Sequence, residues 1–370
     1  MKKRFLALDI LRGLTVTLMI VVNNPGSWDC MFPPLRHAAW EGCTLCDLVF
    51  PFFLFCVGVS MAFSLSKYTS FSGDAVKKVL KRGLLLYLVG LMLNTFPFVP
   101  TAEQMDPNLN FWQNWLEWLR HIRLMGVLPR IAICYVFGSI LVLTVRKTKL
   151  LIGSVVLLSS LYVALLLIFA GPEGAFTLEG NFARQFDIIV MGVNHVYHGY
   201  GLPFEPEGLL GTLTGLCTVL LGYFSGKIVQ TSSPDYRTVV KHLLVYGAGA
   251  LVLGLILSIW IPISKPLWSV SYVFYAGGWA ILALAVIAYV VDVKGWEKWA
   301  YPFKAMGMNA LAMFVMSGMI YRILWFFTDW NAAAIFGVNE WMSLLHALIY
   351  MVFHLTVAII LYKHKIFIKL

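Results

Sequence analysis

The chain has 370 residues, of which 60% are hydrophobic and only 12% charged, and its mean hydropathy is +0.79. Soluble globular chains carry roughly 25% charged residues, so this chain lacks the charge to coat a surface facing water, and an all-α, polytopic membrane bundle is expected. Six cysteines, high apolar content and no visible repeat exclude disulfide-rich secreted, disordered and fibrous classes, and the net charge of +10 must be placed relative to a bilayer before it is read as a nucleic-acid footprint.

Windows of about 20 mostly apolar residues, enough to span, lie near 5 to 24, 44 to 65, 82 to 99, 126 to 145, 149 to 170, 207 to 229, 238 to 260, 267 to 291, 302 to 325 and 341 to 362. Ten spans put both termini on one side. With the N-terminus inside, twenty of the 28 Lys and Arg residues fall in inner segments, seven (Arg36, Arg120, Arg123, Arg130, Arg184, Lys265 and Arg322) fall outside, and Arg12 lies within the first span. The positive-inside rule thus predicts cytoplasmic termini, and nucleic acid is not an expected partner. The basic start followed by an apolar run imitates a signal peptide, but Asp9 and Arg12 interrupt the run and no small-residue cleavage site follows, so an uncleaved first helix is expected. The chain lacks an Asn-x-Ser/Thr acceptor, in keeping with a multi-pass protein of a bacterial inner (plasma) membrane. Three outer loops are long, 25 to 43, 100 to 125 and 171 to 206, and residues 108 to 123 put Trp112, Trp115, Leu119 and Ile122 on one helical face, the pattern of an interfacial amphipathic helix. No linker divides the chain, so a single domain over 1–370 is expected.

Charged and polar groups at membrane depth default to function or pairing. Asp9 and Arg12, spaced i, i+3, are set to pair; Arg12 either snorkels or faces an anionic ligand from the cytoplasm. Asp47 opens the second span four residues before Pro51 in DLVFPFFLF, and a helical proline cannot donate back to the carbonyl of Asp47. His37, in RHAAWEGCTLCD, is either solvated or a proton carrier near neutral pH, with Asp47 placed to orient it. Glu205 and Glu207 in PFEPEGLLGT either cap the sixth span or present carboxylates to a cationic or polyhydroxy substrate. His195 and His198 have metal-like spacing without a nearby third ligand, so no metal is expected; His346 and His354 read as core histidines, and Asn309 in MGMNALAM as an interhelical hydrogen-bonding residue in mid-helix. The outer Cys30, Cys43 and Cys46 are in a compartment where pairing occurs, while Cys56, Cys134 and Cys217 read as packing residues. P-loop, dinucleotide, HExxH and nucleophile-elbow motifs are absent from the sequence.

LALDILRGLTVTLMIVVNN followed by RHAAWEGCTLCDLVFPFFLFCVGVSMAFSL resembles the heparan-α-glucosaminide N-acetyltransferase family and its bacterial relatives, within a broader transmembrane acyltransferase superfamily, and the likeness continues through GVLPRIAICY, FEPEGLLGTLTGL, LGYFSGKIV, KPLWSVSYVF, VVDVKG and GMNAL. The resemblance implies transfer of acetyl from cytoplasmic acetyl-CoA to the amine of a terminal glucosamine on the far side of the membrane, with His37 catalytic and Asn23 and Asp47 lining the same cavity. The family's DPEG is EPEG here, and Glu41 stands where relatives have Asn or a similar residue. The sequence carries no counterpart of the animal enzyme's large lumenal N-terminal domain, so recognition of polymeric heparan need not carry over. On these grounds acetyl-CoA is the expected co-substrate, held by inner cations Arg12, Lys81 and Arg82. Glu207, Asn309 and Trp40 are expected to contact the amino sugar, Asn23 or a backbone N–H to stabilise the oxyanion, and His37 to act as base or acetyl carrier. The resemblance also implies a homodimer. Two other classes stay open: an amino-sugar or N-acetylglucosamine transporter, since polar groups at depth also mark permeation paths, and an O-acyltransferase of an envelope glycan.

Overall fold

The computed structural model describes residues 5–68, 71–101, 104–328 and 331–368; Lys2, Lys3, Arg4 and Lys369 of the charge tally lie outside them. The helices are α1 (Leu6–Asn23), α2 (Leu45–Leu65), α3 (Gly73–Thr95), α4 (Phe111–Leu119), α5 (Val127–Val145), α6 (Thr148–Ile168), α7 (Phe182–Met191), α8 (Thr212–Ser232), α9 (Tyr236–Leu257), α10 (Val270–Ala288), α11 (Tyr301–Met308), α12 (Ala310–Phe327), α13 (Ala332–Phe336) and α14 (Glu340–Lys363). Among the described residues there is no strand, only one isolated bridge between Gly42 and Ser264. The protein is a polytopic helical membrane bundle.

Each of the ten expected windows contains helix, but their standing differs. Eight helices are long and apolar enough to cross a membrane, and α11 with α12 makes a ninth if the pair is one span bent by 73°. The tenth, α3, has its first half charged by Asp74, Lys77, Lys78, Lys81 and Arg82. Helices α1, α2 and α8 are the most enclosed, while α6, α9 and α14 turn most of their surface outward. That division follows composition: the outer helices carry apolar side chains all round and meet lipid as readily as protein.

Close helix contacts fix the surroundings of Arg12. α1 and α11 meet at Gly13 and Gly307, where an added Cβ on either would run into a backbone carbonyl of the other helix, Phe303 or Asp9. This close approach sets Arg12 against the end of α11, where its Nε donates to the Gly307 carbonyl at 2.7 Å. α10 continues through a π-helical turn, Tyr289–Val293, in which the Asp292 carboxylate accepts from the Ala7 N–H at 3.2 Å. The VVDVKG motif therefore caps α1.

Three expectations are corrected. The interfacial helix is shorter than 108–123: Asn110 caps it reciprocally with Gln113, and it stops at Leu119, so Ile122 is not part of its face. Asn309 is not in mid-helix but at the break between α11 and α12. Its amide donates to the Ile366 carbonyl at 3.0 Å and accepts from the Ile368 N–H at 2.9 Å, pinning the C-terminal segment. Glu205 and Glu207 do not cap α8, which begins five residues after Glu207.

Candidate active site

The centre of the site is built at the start of α2. Thr44 precedes the helix, and the side chain of Asp47, three residues on, reaches back to the Thr44 N–H at 3.0 Å, the reciprocal bond of a capping box. The same carboxylate oxygen accepts from the Ala38 N–H at 3.0 Å, which folds the preceding loop over the helix end. His37 then lies against the other oxygen, Nδ1 to Oδ1 at 2.6 Å. Asp47 is buried whereas the His37 side chain is 44% exposed. A carboxylate can only accept, so Nδ1 carries the proton and the neutral ring presents its Nε2 lone pair. The arrangement is a proton acceptor of fixed tautomer at an accessible surface.

Pro51 leaves the Asp47 carbonyl without its helical donor, and the Tyr272 hydroxyl supplies one at 2.6 Å. Tyr272 belongs to an aromatic wall: Trp268 packs edge-on to Phe50 and Tyr272, its indole N–H donates to Thr218 at 3.1 Å, and Arg130 lies 4.3 Å over its ring. The Gly42 N–H donates to the Ile263 carbonyl at 2.7 Å, which brings the half-buried Lys265 beside the His37 loop. Burial, together with the charge of Asp47 and against that of Lys265, pushes the Cys43 thiol up to about 12. Cys46 Sγ lies 3.3 Å from Nδ1 and 3.5 Å from Nε2 of His37. A thiol nearly equidistant from both nitrogens is in line with neither the Nδ1–H nor the Nε2 lone pair, so it packs on the ring. All six cysteines are free.

The second cluster joins three loops. Arg123 forks onto Glu205 at 2.9 and 2.5 Å and reaches Glu207 at 2.6 Å, while its guanidinium lies 4.8 Å over the Tyr197 ring. Burial raises the Glu205 carboxyl above its usual range despite Arg123. For Glu207, burial is outweighed by the charges of Arg123, Lys265 and Arg130, and the carboxyl is lowered. Arg130 clamps the same EPEG loop by donating to the carbonyls of Pro206, at 2.8 Å, and Gly211. Asp187 in α7 accepts from the N–H groups of Leu209 and Leu210 at 2.9 and 3.2 Å, and burial raises its carboxyl to about 7. The Trp40 indole donates to Phe176 at 2.7 Å and stacks edge-on with Tyr200 and Phe204, joining the loops. Burial, then the charge of Glu207 and, further down, that of Asp47, pushes the Tyr200 phenol well above its usual range, so Tyr200 is within electrostatic reach of both clusters.

Two cavities follow one another along α3, α5 and α12. The first, about 230 Å³, is lined by Arg12, Arg82, Ser60, Ser64, Leu86, Ile131, Tyr135 and Leu311. Arg12 also pairs with Asp9 at 2.8 Å. Lys81 is not among its walls; it lines an adjoining hollow with Lys67, Lys78 and Arg82. The second, about 370 Å³, is lined by Asn23, Asn24, Trp28, Gly90, Asn94, Arg123, Leu128, Phe314, Tyr321 and Arg322. On α3, α5 and α12 the linings are three or four residues apart (Leu86 and Gly90, Ile131 and Leu128, Leu311 and Phe314), roughly one helical turn of 5.4 Å.

The structure thus brings His37 to Asp47 and Arg12 to Arg82. It sets Asn23 in the second cavity, Glu207 on Arg123, and Trp40 in the seam between loops. Both ends of the Asn309 amide are committed to backbone, at the end of the molecule that holds Arg12. His195 and His198 bond the carbonyls of Ile122 and Val193, and His346 and His354 those of Asn24 and Tyr350. Among the described residues no group of three or more His, Cys, Asp or Glu could hold a metal ion. Sequence reasoning missed Arg123, Tyr272, Trp268 and Asp187 as members of the site. Arg130, a cation inside an apolar run, was the one signal available for the clamp.

These features define a class: a multi-pass helical membrane protein with an accessible His–Asp pair and two arginine-lined cavities. The family model described as heparan-alpha-glucosaminide N-acetyltransferase, catalytic, matches residues 4–177. The chain is 27% identical to heparan-alpha-glucosaminide N-acetyltransferase of Mus musculus over 424 aligned positions, covering 99% of this chain and 60% of the relative. With the protein of that name from Homo sapiens it is 27% identical over 369 positions, 84% of this chain and 52% of the relative. Over residues 4–177 the chain is thus similar to the catalytic part of the heparan-α-glucosaminide N-acetyltransferase family, and over most of its length to these two relatives. It spans less than two thirds of the length of these two relatives.

Proposed function

We propose that the protein is an acetyl-CoA-dependent N-acetyltransferase that moves acetyl from the cytoplasmic side of a cell (inner) membrane to the amine of glucosamine, or of a glucosamine-terminated sugar, on the other side. The observation that carries this reading is the His37–Asp47 pair, an imidazole whose tautomer is set by a buried carboxylate at 2.6 Å while the ring itself stays accessible. The relatives' name specifies N-acetyl transfer to a heparan glucosaminide for those proteins.

In the direct mechanism Nε2 of His37 takes a proton from the amine as its nitrogen bonds to the thioester carbonyl carbon. The carbonyl oxygen becomes an oxyanion, for which Asn23, an exposed amide in the second cavity, is the proposed donor. Collapse breaks the C–S bond, and the imidazolium returns its proton to the departing thiolate. In the relay variant His37 Nε2 itself carries the acetyl between the two substrates. Arg12 and Arg82 meet the coenzyme's phosphates at the mouth of the first cavity, with Lys81 beside them. Arg12 and Asn23 are eleven residues apart on α1, about 17 Å at 1.5 Å per residue, a distance that the thin pantetheine arm would follow from the first cavity to the second. The excess of basic residues in inner segments supports this orientation.

Purified protein incubated with acetyl-CoA and a panel of amino sugars, with product mass measured, tests the reading. N-acetylation of glucosamine that is lost in His37→Ala is expected. Wild-type rates in that variant would remove the mechanism, and product on hydroxyl groups only would move the chain to the O-acyltransferase class. Sugar counterflow without acetyl-CoA, in the absence of any acetylated product, would make it a carrier.

A further inference from the structure

The second cavity holds two arginines in different states. Arg123 is engaged with Glu205 and Glu207. Arg322, on α12, lines the same cavity and is half-buried, yet among the described residues its guanidinium forms no hydrogen bond or ion pair, and burial is the one influence on it. A guanidinium partly removed from water and left without an anion is an unfavourable arrangement, and its planar fork matches two oxygens of a carboxylate, sulfate or phosphate. The rest of the lining suits a sugar: the Trp28 ring is 62% exposed, Tyr321 adds a second aromatic side chain, and the exposed Asn23 adds an amide. Few convergent polar groups among aromatic walls is the general pattern of a small-molecule site, and about 370 Å³ lies within the usual size range.

We propose that the cavity walled by Trp28, Tyr321 and Arg322 is the acceptor site and that Arg322 selects an amino sugar carrying an anionic substituent. The substituent is a sulfate, a phosphate or the carboxylate of an adjoining uronic acid, held by the guanidinium fork. This rests on the reading of the chain as an amino-sugar acetyltransferase, and it makes Arg322 a specificity-determining residue.

Binding is measured without turnover, as ligand-induced thermal stabilisation of the full chain in detergent. The probes are glucosamine, glucosamine 6-sulfate, glucosamine 6-phosphate, a glucosamine–uronic acid disaccharide and coenzyme A, each tested on wild type, Arg322→Gln and Arg322→Lys. The expected result is that at least one anionic sugar half-saturates wild type at a concentration about 10- to 100-fold below that of glucosamine, the value of one charge-assisted fork. That ratio falls to near one in Arg322→Gln and is partly regained in Arg322→Lys, which keeps the charge without the fork. Which sugar shows the preference identifies the anion. This pattern upholds the proposal even if no acetylation is detected. Equal affinity for neutral and anionic sugars in wild type overturns it even if glucosamine is acetylated, as does a preference that survives Arg322→Gln. An Arg322-dependent stabilisation by coenzyme A alone also overturns it, assigning the cation to the donor. Should Arg322→Gln not fold, the wild-type ratio and the loss of fork geometry in Arg322→Lys decide the question.

Discussion

Asp47 is tied to four groups within ten residues of chain, His37, Ala38 and both N–H and hydroxyl of Thr44, and this density makes the imidazole's tautomer a property of the loop. Replacing the carboxylate by an amide keeps the shape and lets the ring invert its tautomer, so Asp47→Asn is expected to lower kcat for acetyl transfer about 10²- to 10⁴-fold with little change in KM; steady-state kinetics check it. Tyr272→Phe removes the donor to the carbonyl that Pro51 leaves open, and an unpaired buried carbonyl costs about 1–3 kcal/mol, read as a lower unfolding midpoint with kcat less affected. Asp187 gives a pH signature. Burial holds its folded carboxyl at about 7 against an ordinary 3.8, so between these values the folded chain keeps a proton that the unfolded chain has lost. Stability from this group is fully present below about pH 4, declines as pH rises, by at most about 1.4 kcal/mol per unit, and levels above about 7. Thermal scans from pH 4 to 8 should show that decline in wild type and lose it in Asp187→Asn. The His37–Asp47 pair was legible in sequence because a capping residue and its loop are close neighbours along the chain. Arg123 was not, since its partners lie more than 80 residues away and nothing local distinguishes it from an ordinary outer cation.

Helices were legible where hydropathy alone forms them. Each of the ten apolar windows contains helix because a bilayer admits little else for an apolar segment, whereas the break at Asn309 was hidden, since MGMNALAM is apolar and carries no proline at the bend. What stabilises the break is distant: the backbone of Ile366 and Ile368 satisfies the Asn309 amide. The interfacial helix ended early for a related reason, the chain turning after Leu119 so that Arg123 can reach the acids of the EPEG loop. Helix contact makes its own prediction. Gly307→Ala forces α11 off α1 and displaces the carbonyl that holds Arg12, so the variant should lose about 1–3 kcal/mol, the usual range for overpacking. Its KM for acetyl-CoA should rise. Gly249→Ala on α9, with no atom within 4 Å of the added methyl, should do neither; unfolding midpoints and donor titrations of the two variants side by side make the comparison.

At the scale of the whole molecule, two features argue for transfer across the membrane in place of chemistry on one face. One is the gathering of Arg12, Lys67, Lys78, Lys81 and Arg82 around the first cavity and its neighbour, with the His37 loop at the other end of α2. The other is the alignment of the two cavities along α3, α5 and α12. The composition already spoke for a membrane and for an orientation, but this alignment could not be read from sequence, because it is a relation among four helices whose lining residues are mostly apolar. The central claim is that acetyl enters at the cationic end and leaves at the imidazole. Proteoliposomes with the protein in one orientation, acetyl-CoA confined to the Arg12 side and glucosamine to the His37 side, measure this directly. N-acetylglucosamine should accumulate on the His37 side with wild type and not with His37→Ala. Product formed only when both substrates share one compartment would contradict the account.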